Sequence, residues 1–460
     1  MTRARTCTVL AAVALSASQL VAAPGDPPPY CLVDSPGPAV ALSRPAAGEP
    51  PLDDVNWFAR PVPNAGGDWI VAFASHNLNY LYNLTTGARV RIPDSSDAVA
   101  TPDGRYLTVP SHYTTTRTVN FYDAATLLER LAARQDAADV APVFAHKHPD
   151  VHDVYYQSVG VLSKSEAGGR ETTVYRMMFS GSTEPAPPGF RLVDYTFTRV
   201  NGVLTVTPTT PMRLCPEITR DLATPFLSKD GRYVVAHDDS TPGRPASLKI
   251  FEILGTDPAG QTSTCAPRVD FGFAAGKADF SFDGRQLVFH ISKHDYLTPF
   301  VNGGLKAPAI TDVVVVDLTR DAGGAITGVG GMTRLTTSTT EGVGHYFPAF
   351  FPDGKVFYVA NTVSKDSSGP KRFRLSVVDP APARRVTSVF ATPARREAAD
   401  AIGELWRHAC VPTVQPFKPQ EAAWAFLSLS PAQCRQLVDE RWLPATDARK
   451  AGLLAACDAP

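Results

Sequence analysis

The sequence predicts an all-β protein, a six-bladed β-propeller followed by a small α-helical, disulfide-linked C-terminal extension. Three observations lead to this prediction: a repeated Asp-Gly hairpin, a second strand motif that alternates with it, and a change to helical periodicity after the last repeat. The composition is that of a globular chain, since 44% of the 460 residues are hydrophobic and 19% are charged.

The first motif is a short extended segment, then Asp-Gly, then Arg or Lys, then a strand in which apolar residues alternate. Asp-Gly between two extended segments indicates a tight hairpin, because glycine adopts positive φ without steric cost and aspartate bonds the local backbone. Clear copies occupy 99–110, 226–237, 280–291 and 350–361. Weaker copies occupy 65–73 and 148–159.

The second motif is a β-rich segment that ends, in most copies, in an acid or an amide before a turn. It follows each copy of the first motif, at 79–87, 118–126, 190–197, 248–255, 312–320 and 373–381. Two hairpins make four strands, and four antiparallel strands make one propeller blade. The alternation therefore predicts six blades between residues 54 and 392.

The last copy of the repeat resembles that of TolB-type propellers, also called the WD40-like or PD40 repeat, at Pro348, Phe350, Pro352, Asp353, Gly354 and Lys355. The resemblance covers roughly residues 54–392 and implies a propeller fold. TolB proteins place an α/β domain before the propeller. Here residues 24–53 are rich in Pro, Gly and Ala, which predicts an extended surface segment instead.

The two ends of the chain have their own patterns. Residues 1–23 carry Arg3 and Arg5, a short apolar run and a small-residue end at Ala22 and Ala23, which is typical of a bacterial signal peptide. The run is too short to span a bilayer, so we expect a periplasmic or secreted protein without a membrane span. Residues 393–460 show helical spacing of apolar residues and predict a small helical module that contains cysteines.

The cysteines predict disulfides, because six of them follow the signal segment and an oxidising compartment favours their pairing. Cys215 and Cys265 bracket the fourth predicted blade, where strand ends can approach within disulfide distance, so we expect them to pair. Cys31 is then expected to join one of the three cysteines of the tail, and the other two to join each other. Those three are Cys410, Cys434 and Cys457.

One histidine-rich stretch is a weak metal candidate, with His146, His148, Asp150 and His152. Imidazole and carboxylate ligands suit zinc or copper. The sequence supplies no further ligand at a set spacing, so the favoured interpretation is a solvated hairpin tip. No cofactor and no catalytic residue is predicted.

A second group of candidates comprises residues that enter the innermost strands and are expected to face the central channel. They are Asp97, Asp221, Asp279, His345 and Tyr346. Carboxylates around a funnel could hold a cation or the amine of a peptide. The alternative interpretation is that these residues are solvated at the mouth of the channel.

The function favoured by these patterns is binding or scaffolding of another protein or peptide in the cell envelope. The net charge of −1 gives no electrostatic reason to expect a nucleic acid, and the absence of a G-x-S-x-G elbow excludes an appended serine hydrolase of that type. The alternative is a propeller enzyme, lactonase-like or another hydrolase, with a metal in the central channel. A sugar- or peptidoglycan-binding module is a third possibility, and the oligomeric state is not predicted.

Overall fold

The computed structural model describes residues 40–41, 59–75, 78–94, 97–110, 118–147, 155–181, 189–215, 218, 225–238, 247–257, 262–271, 275–292, 311–336, 343–362 and 372–380. In this part the elements are β-strands apart from one helix, so the prediction of an all-β fold is confirmed. The segments predicted to be a signal peptide and a helical extension lie outside the described residues. No helix in the described part is long and apolar enough to cross a membrane.

The first strands of the chain belong to three different sheets. Strand β1 (Val40–Ala41) belongs to the last sheet. The strands that come after β1 in the chain form the first sheet and then the second sheet. The first sheet contains β2 (Ala59–Pro61), β3 (Ile70–Ser75), β4 (Leu78–Asn83) and β5 (Arg89–Ile92). The second contains β6 (Val99–Ala100), β7 (Tyr106–Pro110), β8 (Thr118–Asp123) and β9 (Phe144–Lys147), with helix α1 (Ala124–Ala132) between β8 and β9.

The middle of the chain forms a single nine-stranded sheet. Its first part contains β10 (Tyr155–Ala167), β11 (Arg170–Gly181), β12 (Gly189–Val200), β13 (Val203–Pro208) and β14 (Met212–Arg213). Its second part contains β15 (Phe226–Leu227), β16 (Tyr233–Asp238), β17 (Ser247–Asp257) and β18 (Thr262–Asp270). Strand β13 pairs with β12 outside the main path of the sheet.

Two further four-stranded sheets complete the fold. One contains β19 (Gly276–Phe280), β20 (Gln286–Ser292), β21 (Thr311–Arg320) and β22 (Ile326–Arg334). The other contains β23 (Val343–Phe350), β24 (Val356–Thr362), β25 (Arg372–Val378) and β1. Because β1 pairs with β25, the first described strand of the chain completes the last sheet.

The sheets surround an axis in a propeller-like arrangement. Contacts connect β2 to β6, β6 to β10, β10 to β15, β15 to β19, β19 to β23 and β23 back to β2, so these strands form a closed ring. Hydrophobic clusters fill the spaces between neighbouring sheets; one of them contains Phe73 of the first sheet and Phe357 of the last. The core is therefore a set of layers between sheets.

The prediction of six separate four-stranded blades is wrong. The described residues form four four-stranded sheets and one nine-stranded sheet whose strands lie between residues 155 and 270. The cause is the short strand β14, which pairs antiparallel with β12 at Leu192 and Met212 and parallel with β18 at Arg213 and Thr262. The local sequence contains no signal for this bridge, because only two residues of β14 take part.

The Asp-Gly turns are built as the sequence predicts. Asp103 accepts a hydrogen bond from the hydroxyl of Thr101 at 2.7 Å and another from the backbone N–H of Arg105. Ser281 and Asp283 repeat this arrangement, with a hydroxyl-to-carboxylate distance of 2.6 Å. The following glycine has positive φ in each of the four clear copies. These turns stand at the ends of the ring strands and so define one face of the molecule.

Candidate functional site

A small cavity of about 30 Å³ lies on the axis, and every strand of the ring contributes to its wall. A volume of this size accommodates one or two water molecules and no organic substrate. The charged residues of the wall are Arg60, Lys229 and Asp279, and aromatic rings of Phe226, Phe282 and Phe350 surround them.

Arg60, which comes from β2, fills part of the axis with its guanidinium. The side chain is buried, lies 4.1 Å over the ring of Phe226 and donates to the backbone oxygen of Pro348. Burial lowers the pKa of this guanidinium, and the carboxylates of Asp279 and Asp97 only partly oppose that effect. Since arginine stays protonated across the physiological range, the axis carries a permanent positive charge.

Asp279, which comes from β19, is engaged at both carboxylate oxygens. Oδ1 accepts a hydrogen bond from Nζ of Lys229 at 2.7 Å, and Oδ2 accepts one from the backbone N–H of Phe350 at 2.9 Å. The ammonium of Lys229 also lies 4.9 Å from the ring centre of Phe282. A buried carboxylate needs such partners, because an isolated buried charge is costly. The carboxylate of Asp279 is therefore satisfied within the protein.

The other channel candidates take different positions. Asp97 lies just before β6 and is buried. His345 is buried on β23 and packs edge to face against Tyr358 at 5.3 Å, while Tyr346 belongs to the hydrophobic cluster between the last and first sheets. None of these three lines the axial cavity. Asp221 lies outside the described residues.

Of the histidine-rich stretch, the structure describes His146 but not His148, Asp150 or His152. His146 lies on β9, and its Nδ1 is 3.2 Å from the hydroxyl of Tyr195. Burial lowers the pKa of this imidazole. Within the described ranges, no group of three or more His, Cys, Asp and Glu side chains could hold a metal ion.

A much larger groove of about 730 Å³ lies on the turn face, between α1 and the first two sheets. Its walls are the loop after β2, the turn at residues 102–104, one side of α1 and Pro352 of the last sheet. The apolar part of the lining includes Ile70, Leu128 and Leu131, and the charged part is Asp68, Asp103 and Glu129. Among the described residues, no lysine, arginine or histidine lines the groove.

The carboxylates of the groove differ in their surroundings. Asp68 accepts a hydrogen bond from the neutral amide of Asn83 at 2.8 Å, and Glu129 is exposed on α1. Neither carboxylate has a cationic partner among the residues that the structure describes. Asp103 differs, since Nζ of Lys164 lies 2.8 Å from its carboxylate. The groove thus presents negative charge that the described protein does not neutralise at Asp68 and Glu129.

Helix α1 is the part of this site that sequence reasoning missed. Its N-cap is Asp123, whose carboxylate accepts from the backbone N–H of Thr126 at 2.9 Å. Leu127 and Leu131 are buried four residues apart, which turns Glu129 to the exposed side. An aspartate cap followed by apolar residues at helical spacing is a recognisable signal. The helix was not predicted, because its first residues were assigned to the strand motif at 118–126.

The disulfide between Cys215 and Cys265 is present, with the two Cα atoms 5.4 Å apart. The backbone N–H of Cys215 also donates to the hydroxyl of Ser263 at 2.9 Å. Both contacts lie beside β14, so they hold the bridge between the two parts of the nine-stranded sheet. Cys31, Cys410, Cys434 and Cys457 lie outside the described residues.

Comparison with known proteins assigns no family to the chain. No family model and no curated protein matches it. Among solved structures it is similar to TolB from Acinetobacter baumannii, with 13% identity, a TM-score of 0.33, and coverage of 70% of this chain and 63% of that one. It is also similar to an alpha-L-arabinanase from Penicillium chrysogenum, with 14% identity, a TM-score of 0.37, and coverage of 75% and 99%. A third is hydrazine synthase from Kuenenia stuttgartiensis, with 13% identity, a TM-score of 0.32, and coverage of 66% and 75%. Similarities this low identify no activity.

Proposed function

We propose that this protein is an exported binding protein, and that the groove beside α1 receives an extended segment of another protein. The observation that carries the proposal is the contrast between the two candidate sites. The axial cavity holds about 30 Å³ and its Asp279 carboxylate is engaged by Lys229 and a backbone N–H. The groove holds about 730 Å³, and its Asp68 and Glu129 carboxylates have no cationic partner within the described part of the chain.

The size and lining of the groove support a peptide as the occupant. Pockets that bind ligands have volumes of about 300–1,000 Å³ and are mostly apolar, with a few polar groups that set orientation. The leucines of α1 and the prolines of the turns supply the apolar wall here. A peptide with leucine or proline side chains would bury them against this wall.

The charge of the groove supports a basic residue within that peptide. Asp68 and Glu129 attract a lysine or arginine side chain, and no positive residue of the described lining competes with it. Since Glu129 is exposed, its attraction is screened by salt over about 8 Å at physiological ionic strength. We therefore expect binding that weakens as salt is added.

Export is part of the proposal and is supported by two features. Residues 1–23 have the pattern of a signal peptide, and Cys215 forms a disulfide with Cys265, a bond that persists in oxidising compartments. The alternative of a hydrolase with a channel metal has less support, because Asp279 already accepts hydrogen bonds at both oxygens.

The test uses three labelled heptapeptides that share leucine and proline positions and differ only at the centre, which is Lys, Leu or Glu. By fluorescence anisotropy we expect the Lys peptide to bind most tightly. The double variant Asp68→Asn, Glu129→Gln should weaken that binding at least tenfold, which corresponds to about 1.4 kcal/mol. The control is Glu166→Gln, which removes an exposed carboxylate near the tip of β10 that is not part of the groove lining. Equal binding of the three peptides, no binding at all, or the same loss in the control would contradict the proposal.

A further inference from the structure

Strand β13 is an edge strand with an unusual composition. Its sequence, Val-Leu-Thr-Val-Thr-Pro, contains no charge, and among the described strands it pairs with β12 alone. Exposed sheet edges normally carry charged residues, because an uncharged edge is a template for pairing with another strand. Two other peripheral strands carry such charges, with Arg89 and Arg91 in β5 and Lys147 in β9.

The register of β13 determines which backbone groups face outward. The hairpin from β12 turns through Asn201 and Gly202, both with positive φ, and Val200 lies opposite Val203. Farther along the same ladder, the N–H of Thr209 donates to the carbonyl of Asp194. Since bonded and non-bonded pairs alternate in an antiparallel ladder, the odd-numbered residues of β13 bond to β12. The N–H and C=O groups of the two intervening residues, 204 and 206, therefore point away from the sheet.

The side chains of β13 leave this edge accessible. Leu204 and Val206 pack against the aromatic cluster that contains Phe197, which holds the strand in register. Val203 is 68% exposed and Val200, across the turn, is 41% exposed. An added strand would cover these valines and satisfy the outward backbone groups.

We propose that β13 pairs with β13 of a second copy of this chain, antiparallel, about a two-fold axis at Thr205. In that arrangement residue 204 of one copy exchanges two hydrogen bonds with residue 206 of the other, and the reverse pair repeats them. Thr205 then faces its own symmetry mate. Self-pairing fits this strand because it carries no charge, so the two copies meet without like-charge repulsion. A closed two-fold contact of this kind yields a dimer and not a fibre.

The proposal is independent of the groove beside α1, and charge substitutions at the two-fold axis test it. Thr205→Lys and Thr205→Glu each place two like charges on opposed residues, whose Cα atoms lie about 4.5 Å apart in a non-hydrogen-bonded pair. By sedimentation equilibrium we expect the unmodified protein to have twice the mass of one chain and each variant to have the mass of one chain. An equimolar mixture of the two variants should recover the doubled mass, because the opposed charges then attract.

The matched control is Gln135→Lys, which adds the same charge at an exposed position after α1 and should leave the dimer intact. Thermal unfolding of each variant checks that the fold is retained. A single-chain mass for the unmodified protein at micromolar concentration overturns the proposal. So does a dimer that survives both Thr205 substitutions, or a variant mixture that stays monomeric although both variants are folded.

Discussion

Asp103 shows how one side chain joins two neighbouring sheets. Its carboxylate accepts hydrogen bonds from Thr101 in its own turn and from the hydroxyl of Tyr175, on β11, at 2.8 Å. Lys164 of β10 adds an ion pair at 2.8 Å. Burial alone would raise the pKa of this carboxyl, but the hydrogen bonds from Lys164, Thr101 and Tyr175 outweigh it and hold the pKa below its ordinary value.

This depressed pKa has a defined effect on stability. The ionised carboxylate stabilises the fold above the unfolded-state pKa of about 3.9, and that contribution is lost as the pH falls through the lower folded-state pKa. We expect Asp103→Asn to reduce the free energy of unfolding by about 1–2 kcal/mol at pH 7 and by less at pH 3. Urea denaturation at the two pH values measures both. Equal losses at both values, or a similar loss in the exposed control Glu166→Gln, would contradict this assignment.

The repeated Asp-Gly turn shows how one local motif meets different surroundings in different sheets. Gly104 and Gly354 both have positive φ, +70° and +83°. A Cβ at Gly104 would lie 2.6 Å from the backbone oxygen of Pro63, in the loop after β2, while a Cβ at Gly354 would meet no atom of the described residues within 4 Å. The two glycines are thus equivalent in conformation and different in packing.

The pair of glycines yields a matched test. Gly354→Ala should cost only the left-handed conformation, about 1–2 kcal/mol. Gly104→Ala should cost that amount and a further contribution of about 1–3 kcal/mol, because the backbone of Pro63 must move. Chemical denaturation of both variants gives the difference. Equal losses would mean that the contact with Pro63 does not constrain the turn.

At the scale of the whole molecule, closure of the ring depends on contacts between the two ends of the described chain. Val40 of β1 lies opposite Val377 of β25, and the indole N–H of Trp69 donates to Asp353 at 3.1 Å. Phe351 of the last sheet lies 6.3 Å from Trp69 between ring centres. The strand pair therefore joins the N-terminal segment to the last sheet, while the hydrogen bond and the aromatic packing hold the first and last sheets together.

The same closure leads to a prediction for the four cysteines that follow the predicted signal peptide and lie outside the described residues. Cys31 precedes β1 by nine residues, and the tail follows β25, so both segments leave from the same sheet. We expect non-reducing peptide mapping to find Cys31 joined to Cys410, Cys434 or Cys457. A disulfide across so long a loop contributes about 4–5 kcal/mol in the chain-entropy model, so Cys31→Ser should lower the unfolding temperature. A free Cys31 thiol would refute the link.

The sequence by itself determined the local elements. The β-rich segments predicted strands at 79–87, 118–126 and 190–197, although β4 ends at Asn83 and the residues from Ala124 form α1. Asp-Gly predicted the hairpin turns at 99–110 and 350–361. These features depend on backbone preferences within a few residues, since glycine accepts positive φ wherever it stands. The pairing of Cys215 with Cys265 was predicted from their places before and after the fourth predicted blade, and in the structure Cys265 lies within β18.

Only the tertiary structure decided how these elements combine. It joined two repeat units into one sheet through β14, placed Arg60 and Lys229 beside Asp279 on the axis, and formed the groove between α1 and the turns. Each of these features brings together residues far apart in the chain. The same local strand motif occurs in the separate four-stranded sheets and in the nine-stranded sheet, so the motif does not determine which one forms. The physical reason is that burial and charge pairing are set by the neighbours a side chain meets, and those neighbours come from other sheets.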